Sequence, residues 1–525
     1  MKVLLHTKRS ADSTDLLSWQ SHIALLATLL MGTIARIYHL STASLWFDEA
    51  FSVRVSSMSF TNMLQEIIRT DFNPPLHFII LHYWMKLFGN SEASIRCLSA
   101  IFGIAAVYMM YRLGKYLFNK EIGIMSALLL ALSRPNIYFS QEARGYSLML
   151  FLTLMSFYFL FRLIDKRTTS SSVLYLLSSA LLLYTHMFGV LIVVTQTVYL
   201  VFKAVLYDLK HDRRFIQWLV RAWPIYQMIL LVAYAPWVMV YIHKLTEARS
   251  MAQQPLGWTL EQPSLAMLST ISTKLAGSSW LLIAIIACIV LAALSMGLGR
   301  LSPSHRYSIL TGRFISNGLD SAWVDNERLL LLLMWFLAPI LLAAVVSITF
   351  VPIIHYKYLL GITPALYLLT AVGTQSVKPV AAKTAIVVII VALSLVNIWG
   401  YYTTPTKPDW RSVVASIERR AAAGELVVVS PAPNIENGFS YYLKRTDLVV
   451  APFPKQGMLS DTQRTDELRA VVKSNRDFWV VVLIAHGENG LIGNRMALTQ
   501  ILKSNYHIAD RTDFDGIELY HCQQR

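Results

Sequence analysis

Long apolar segments separated by short polar ones fill the chain as far as Gly400. Some of them, such as 275–299 and 329–354, carry no charged residue and are longer than the roughly 20 residues that cross a bilayer. The pattern predicts a polytopic membrane protein, mainly α, whose helices form a bundle of about 11 to 13 spans. We place eleven of these helices at 20–38, 95–114, 122–139, 145–161, 171–185, 188–203, 222–242, 278–298, 329–350, 358–374 and 384–401.

Two apolar segments need an interpretation other than one simple span. The uncharged run 171–202 would be about 48 Å long as a single helix, whereas the bilayer core is about 30 Å thick. We therefore predict two helices that divide at 186–189. The apolar segment 74–88 is shorter and contains His77, His82 and Lys86, which favours a helix lying in the membrane interface.

The composition changes after the last apolar segment. A linker at 403–408 is followed by a stretch in which charges are as frequent as in soluble proteins. Apolar runs at 426–429, 448–451, 478–484 and 517–520 alternate with helical patterns at 466–473 and 495–503. This alternation predicts a small α/β domain. The expected domains are therefore 1–401, which spans the membrane, and 402–525.

The overall composition excludes two broad classes of protein. Of the 525 residues, 55% are apolar and 15% are charged, whereas soluble domains average about 45–50% and 25%. A disordered chain and a wholly soluble chain are both excluded. The 3 cysteines give no disulfide framework and no zinc-ligand spacing.

The net charge of +15 follows the membrane topology. If the N-terminus is cytoplasmic and acts as an uncleaved anchor, the densest Lys and Arg clusters fall on the cytoplasmic side, as the positive-inside rule expects. These clusters are 2–9, 112–120, 162–167, 203–221, 300–328 and 378–383. The charge therefore indicates orientation in the plasma (inner) membrane and not a nucleic-acid partner. Eleven spans then place the second domain outside.

In this topology five polar motifs lie on the outer face. They contain Asp48 and Glu49 in an outer loop at 41–94, the loop segment 71–77, Glu142 with Arg144, the lone His186, and His355 with Lys357. Each also has a purely structural interpretation. In that interpretation Asp48 and Glu49 are acids at a helix N-terminus, and the prolines of 71–77 stop a helix. Glu142 and Arg144 form a buried ion pair, His186 is a core histidine, and Lys357 reaches lipid headgroups.

The order of these motifs resembles a known family. The chain has Trp-Phe-Asp-Glu-Ala at 46–50, Asn-Pro-Pro-Leu at 73–76, Phe-Gly at 88–89, Ser-Gln-Glu-Ala-Arg at 140–144 and Lys-Pro-Asp-Trp-Arg at 407–411. It resembles, over about residues 20–412, the polyprenyl-phosphate-sugar-dependent membrane glycosyltransferases of the GT-C fold, which include protein O-mannosyltransferases and lipid A aminoarabinose transferases. The family's catalytic acid falls on Asp48 and its glutamate neighbour on Glu49. Where related helices often begin Arg-Tyr-Leu, this chain has Lys357-Tyr358-Leu359.

The chemistry of an outer-face site agrees with that resemblance. Nucleotide sugars stay in the cytosol, so a sugar donor on the outer face is expected to be carried on a lipid. We expect Asp48 to be a general base for an acceptor hydroxyl or amine, Glu49 to position the acceptor or a divalent cation, and Arg144 with Lys357 to hold the donor phosphate. Further substrate-binding candidates are Glu142, His186 and His355.

The expected partners are a polyprenyl-phosphate sugar, membrane lipids and an acceptor that is a lipid, a glycan or a protein. The sequence leaves the sugar and any metal requirement open, with Asp48 and Glu49 as the candidate ligands of Mg²⁺ or Mn²⁺.

Two other classes of function compete with this interpretation. A transporter or flippase for a lipid-linked sugar would do no covalent chemistry, but transporters place ionisable residues near the bilayer midplane, and the middles of nearly all the predicted helices are apolar. In the third interpretation the second domain is the functional module on an inert anchor. An anchor does not require eleven spans.

Overall fold

The structure is a computed structural model that describes residues 2–208, 212–250, 264–299, 326–350, 352–432, 435–454, 461–484 and 489–525. Most of the predicted basic cluster 300–328, and residues 209–211 of the cluster 203–221, lie outside the described residues. The described part of the chain consists of a helical bundle followed by a small domain built on a β-sheet.

The first half of the bundle runs from α1 to α10. The helices are α1 Lys2–Ile37, α2 Phe47–Ser56, α3 Phe60–Thr70, α4 Leu76–Phe88, α5 Glu92–Leu117, α6 Lys120–Ala131, α7 Arg134–Ser140, α8 Tyr146–Lys166, α9 Thr169–Thr185 and α10 Gly189–Lys203. The second half follows a π-helical turn, Ala204–Asp208, and includes a 3₁₀ helix, Tyr356–Ile362. Its α-helices are α11 Arg213–Arg221, α12 Trp223–Ser250, α13 Leu265–Ala276, α14 Ser279–Gly299, α15 Asn326–Thr349, α16 Thr363–Ser376 and α17 Val380–Thr403.

Seven helices in the described residues are long and apolar enough to cross a membrane. The number of spans rises to nine if each of two bent helix pairs counts as one span. All eleven predicted segments are helical, but four are not single full-length spans. The segment 122–139 is bent by 63° between α6 and α7, and α13 meets α14 at 90°. The segments 171–185 and 358–374 form α9 and α16, of 17 and 14 residues.

The break between α6 and α7 has a clear local cause. Pro135 lies in the first turn of α7 and has no backbone N–H to donate to the carbonyl four residues earlier, that of Ala131. The side chain of Ser133 instead accepts from the N–H of Asn136 and begins a new helix. A proline in the middle of an apolar run was the sequence signal for this bend.

The split predicted in 171–202 is present. α9 ends at Thr185, His186 follows it in an extended conformation, and α10 begins at Gly189. The predicted interfacial segment forms α4, whose 13 residues extend about 20 Å, less than a bilayer core.

Small residues allow the helices to cross closely. α8 is buried along most of its length between α5 and α9, whereas α17 and the part of α1 at Trp19–Ile37 expose most of their apolar side chains, as lipid-facing helices do. Where α14 crosses α16, a Cβ on Gly373 would lie 1.8 Å from the carbonyl oxygen of Cys288. Only glycine fits at that crossing, as is common between membrane helices.

The second domain has three layers. Its strands are β1 Leu426–Ser430, β2 Val449–Pro452, β3 Asp477–Leu483, β4 Tyr506–Phe514 and β5 Ile517–Gln524, in the order β2-β1-β3-β5-β4. The first three are parallel, and β4 and β5 form an antiparallel hairpin at one edge. Helix α18 Trp410–Arg420 covers one face, and α20 Asp461–Val472 with α21 Asn489–Asn505 covers the other. A short helix α19, Ser440–Tyr442, precedes β2.

Four of these strands were predicted from their apolar runs, but β4 was not. Five of its nine residues are charged or polar, His507 and the run Asp510 to Asp513, so it has no apolar run. The Asp515-Gly516 pair that joins β4 to β5, with Gly516 at φ +70°, is a strong hairpin signal. That pair would have indicated a strand on each side.

Candidate functional site

The polar motifs meet at one end of the helical bundle. The loop after α1, the loop between α7 and α8, the break between α9 and α10, the segment before α16 and the linker after α17 are all in contact there. The convergence that the topology predicted is therefore a feature of the tertiary structure.

Glu49 lies in the first turn of α2 and is completely buried. Its Oε1 accepts from Arg96 Nε at 2.7 Å and from the Ala143 N–H at 3.0 Å. Its Oε2 accepts from Arg96 Nη2 and from Lys407 Nζ, both at 2.8 Å. Burial acts to raise the pKa of Glu49, but Arg96 and Lys407 outweigh it and lower the pKa to about 2. Both carboxylate oxygens are thus fully engaged by the protein.

Arg96 and Lys407 organise the loop around Glu49. The Arg96 guanidinium also donates to three backbone carbonyls, those of Leu40, Ala43 and Ser44, at 2.8, 2.8 and 3.0 Å. Neither residue was predicted as part of the site. A buried arginine near the start of an apolar helix was the available signal for Arg96, and the Lys-Pro-Asp-Trp-Arg motif was the signal for Lys407.

Asp48, the neighbour of Glu49, has a different environment. Its Oδ2 accepts from Lys357 Nζ at 3.3 Å, and its side chain is 13% exposed, whereas that of Glu49 is 0% exposed. Burial acts to raise the pKa of Asp48, but Lys357 and Arg144 leave it below the usual value. Asp48 is therefore an ionised carboxylate that a ligand can reach.

Arg144 is the second cation beside Asp48. Its guanidinium lies 3.3 Å from Asp71 Oδ2 and donates to Ser52 Oγ at 3.4 Å. Ser52 is one turn after Asp48 and donates to its backbone carbonyl at 2.9 Å. Burial acts to lower the pKa of Arg144, but Asp71 and Asp48 keep it above the ordinary value. Asp71, which the sequence analysis left in a structural loop, is therefore a neighbour of the site.

Glu142 is buried, and neither of its carboxylate oxygens has a hydrogen-bond partner among the described residues. The structural alternative of a Glu142–Arg144 ion pair is wrong, because Arg144 pairs with Asp71. Burial raises the pKa of Glu142 to about 7; Lys407 opposes this rise, and Glu49 and Asp48 add to it.

The two predicted histidines flank the same region. His355 begins the 3₁₀ helix, and its Nδ1 accepts from the N–H of Lys357 at 3.3 Å. His186 is buried, and its ring centroid lies 5.3 Å from that of Tyr358. His77 of α4 is also buried and lines a small cavity with His186 and Arg144. It lies in the motif 71–77, and no role was predicted for it.

The predicted metal ligands do not form a complete set. No group of three or more His, Cys, Asp and Glu side chains in the described residues could hold a metal ion. Glu49 is fully engaged by Arg96, Lys407 and the Ala143 N–H. In this arrangement the Asp48–Glu49 pair does not offer two free carboxylates to a divalent cation.

Comparison with known proteins identifies the fold that contains this site. Residues 73–243 match the family model described as dolichyl-phosphate-mannose-protein mannosyltransferase. The chain is similar to the apo crystal structure of ArnT from Cupriavidus metallidurans, with a TM-score of 0.59 and 11% identity over 96% of this chain and 98% of that one. The chain has the GT-C glycosyltransferase fold. The predicted resemblance and fold class are both confirmed.

Two further GT-C structures contain a bound polyprenyl phosphate. ArnT from Cupriavidus metallidurans bound to undecaprenyl phosphate gives a TM-score of 0.55 and 12% identity, covering 96% of this chain and 98% of that one. A second is the archaeal oligosaccharyltransferase AglB from Archaeoglobus fulgidus in complex with an inhibitory peptide and a dolichol-phosphate. It gives a TM-score of 0.50 and 12% identity, covering 89% of this chain and 70% of that one. Comparison with curated protein sequences gives no match.

Proposed function

We propose that this GT-C protein transfers a sugar from a polyprenyl-phosphate donor to a hydroxyl or amine acceptor on the outer face of the membrane. The observation that carries the proposal is the position of Asp48, an accessible carboxylate, beside the two cations Lys357 and Arg144. General-base transfer from a phosphate-linked sugar needs one base and a cationic site for the departing phosphate.

In this mechanism Asp48 accepts the proton of the acceptor hydroxyl or amine. The acceptor oxygen or nitrogen forms a bond to the anomeric carbon while the bond from that carbon to the phosphate oxygen breaks, with inversion. The bonding electrons leave with the polyprenyl phosphate, whose negative charge increases. Lys357 and Arg144 stabilise that developing charge.

Binding of the donor also prepares the base. In the protein alone, Lys357 and Arg144 hold the pKa of Asp48 below its usual value, which makes it a weak base. A phosphate between these cations offsets their charge, so the pKa of Asp48 rises when the donor is in place. The site therefore becomes more basic at the moment when an acceptor can react.

Glu49 has a positioning role in this proposal. Its contacts with Arg96 of α5, Lys407 of the linker and the Ala143 N–H fix the first turn of α2 and hence the direction of the Asp48 side chain. His355 fixes the backbone of Lys357 in the same way. Asp48 and not Glu49 is then the carboxylate that meets the acceptor.

The proposed location is the plasma membrane, with a cytoplasmic N-terminus and an outer second domain. Contacts between this domain and the site support a shared side, because Lys407 reaches Glu49 and Asn437 accepts from Arg54 of α2 at 3.1 Å. A lipid-linked donor suits an outer site since nucleotide sugars remain in the cytosol.

The test is to incubate membranes containing the protein with radiolabelled polyprenyl-phosphate sugars and to measure consumption of the donor and formation of product. Asp48→Asn should keep donor binding and lower turnover by roughly 10²- to 10⁴-fold, the usual effect of losing a general base. Asp466→Asn, at an exposed carboxylate of the second domain, is the matched control and should retain activity.

Two results would contradict the proposal. Near-normal turnover by Asp48→Asn would remove Asp48 as the base. Movement of the labelled lipid across the membrane without its consumption would indicate a transporter.

A further inference from the structure

A small, partly open cavity lies beside Arg144. Its volume is about 10 Å³, close to the minimum that holds a single water molecule. Its walls include Asn73, His77, Arg144 and His186, with Phe78 and Tyr146 as apolar neighbours. Both histidines are at least 96% buried. The cavity thus has room for one small group and several polar atoms around it.

His186 presents a hydrogen-bond donor to this cavity. Its Nδ1 accepts from the backbone N–H of Phe188 at 3.2 Å, so in the neutral ring the proton is on Nε2. Burial, together with the charges of Arg144 and Lys357, lowers the pKa of His186 to about 3, which keeps the ring neutral. The Nε2 atom is buried without a partner among the described residues.

His77 and Asn73 present acceptors. Burial and Arg144 lower the pKa of His77 to about 3, while the Ala143 backbone acts to raise it, as a carbonyl facing a ring N–H does. A ring proton on Nδ1, facing that backbone, makes Nε2 an acceptor, and Nε2 has no partner among the described residues. Asn73 donates through Nδ2 to Asp71 Oδ1 at 3.1 Å, and its own Oδ1 is buried without a partner among the described residues.

A neutral hydroxyl group can pair with these atoms. A hydroxyl is water-sized, donates once and has two acceptor lone pairs, so it can accept from His186 and donate to one of the two acceptors. An ammonium group would lie against the Arg144 guanidinium, and an anion would face the two acceptors. An apolar group would leave buried polar atoms unpaired, which is costly.

We propose that this cavity binds one neutral hydroxyl group of the sugar that is being transferred, and that His77 and His186 select donors by this hydroxyl. The inference rests on the proposed function. Arg144, which the mechanism assigns to the donor phosphate, forms one wall of the cavity, whereas Asp48, which meets the acceptor, does not. A hydroxyl of the sugar attached to that phosphate is therefore nearer than one of the acceptor.

The experiment measures binding of undecaprenyl-phosphate mannose, its monodeoxy analogues and undecaprenyl phosphate alone to the full-length protein in nanodiscs without acceptor. The wild type should bind one deoxy analogue about 10- to 100-fold more weakly than the parent sugar, because its cavity groups are left unpaired. In His186→Leu and His77→Leu that ratio should fall to near one, while binding of undecaprenyl phosphate stays within about threefold.

His82→Leu is the matched control, because His82 is also buried on α4 but its Nδ1 lies 2.8 Å from the Ser56 carbonyl oxygen, away from the cavity. It should keep the wild-type ratio. Comparing two ligands within one variant cancels any general loss of folded protein.

Three results would overturn the inference. Equal binding of all the analogues by the wild type would show that the cavity holds water only. An unchanged ratio in His186→Leu would assign the discrimination to other residues, and discrimination that appears only with acceptor present would place an acceptor hydroxyl there. If neither undecaprenyl phosphate nor any sugar lipid binds, the proposed function fails first and the inference falls with it.

Discussion

Asp48 and Glu49 have the same chemistry and adjacent positions but opposite surroundings. Arg96 and Lys407 enclose Glu49, whereas Asp48 keeps partial exposure and a single lysine partner. The buried ion pairs of Glu49 are costly to break, because removal of one partner leaves an uncompensated charge. At the residue scale the site therefore contains one partly exposed carboxylate next to one that the protein encloses.

Lys357 tests whether the cations act on the donor phosphate. Lys357→Gln should weaken donor binding and slow single-turnover transfer, because a charge-assisted hydrogen bond is lost where negative charge develops. Lys357→Arg should retain most of the activity since it keeps the charge. The measurement is donor affinity and single-turnover rate in nanodiscs. Equal values for the wild type and Lys357→Gln would leave Arg144 as the phosphate ligand.

Glu142 should make stability depend on pH. Its pKa is raised from the ordinary value of 4.5 to about 7, so the folded state favours the protonated form. The resulting stabilisation is complete below pH 4.5 and is lost as the pH rises through about 7. The groups that face Glu142 are Lys407, Glu49, Asp48 and Lys357.

The expected result is that the melting temperature of the wild type in detergent falls between about pH 5 and 8 more steeply than that of Glu142→Gln. Glu121→Gln, at an exposed position of α6, serves as the control and should follow the wild type. Parallel curves for wild type and Glu142→Gln would show that Glu142 is not the group responsible.

At the scale of elements, Arg36 completes the bend between α6 and α7. Pro135 leaves the Ala131 carbonyl without its helical donor, and Arg36 of α1 donates to that oxygen and to the Leu130 carbonyl, both at 3.1 Å. A broken helix in a membrane is tolerated when such groups find partners within the protein. Arg36 of α1 therefore stabilises the bend between α6 and α7.

Arg36→Met should lower the free energy of unfolding by about 1–3 kcal/mol, because buried carbonyls lose their partners. Thermal or denaturant unfolding in detergent measures this loss, and Arg36→Lys should recover part of it. Arg69→Met, at an exposed arginine of α3, is the control. A change no larger than that of the control would show that the carbonyls find other donors.

At the scale of the whole molecule, the arrangement of the helices decides which loops share a side. Cysteines introduced one at a time into a cysteine-free background at Asn90, Met187 and Ser440 should react with an impermeant maleimide in intact cells. Cysteines at Thr168 and Lys378 should react only after permeabilisation. Protection of the Met187 site alone would contradict the placement of the α9–α10 break on the outer side.

The sequence by itself determined most of the elements. A continuous apolar run carries its own evidence, because its length and lack of charge are local properties. The same holds for the split at His186, which follows from the length of the run, and for β1, β2, β3 and β5, which have apolar centres. The segment 122–139 was predicted as one continuous span, although it is bent between α6 and α7, because apolar composition does not report where a helix bends.

The partners of the side chains were decided by the tertiary structure. In the sequence only the family resemblance separates Asp48 from Glu49, whereas in the fold Lys357 approaches Asp48, and Arg96 and Lys407 approach Glu49, from distant segments. The fold also pairs Arg144 with Asp71 instead of Glu142 and places His77 and His186 around the same cavity. Burial and electrostatic environment depend on groups far apart in the chain, so motifs identified the region of the site and the fold assigned each residue its partners.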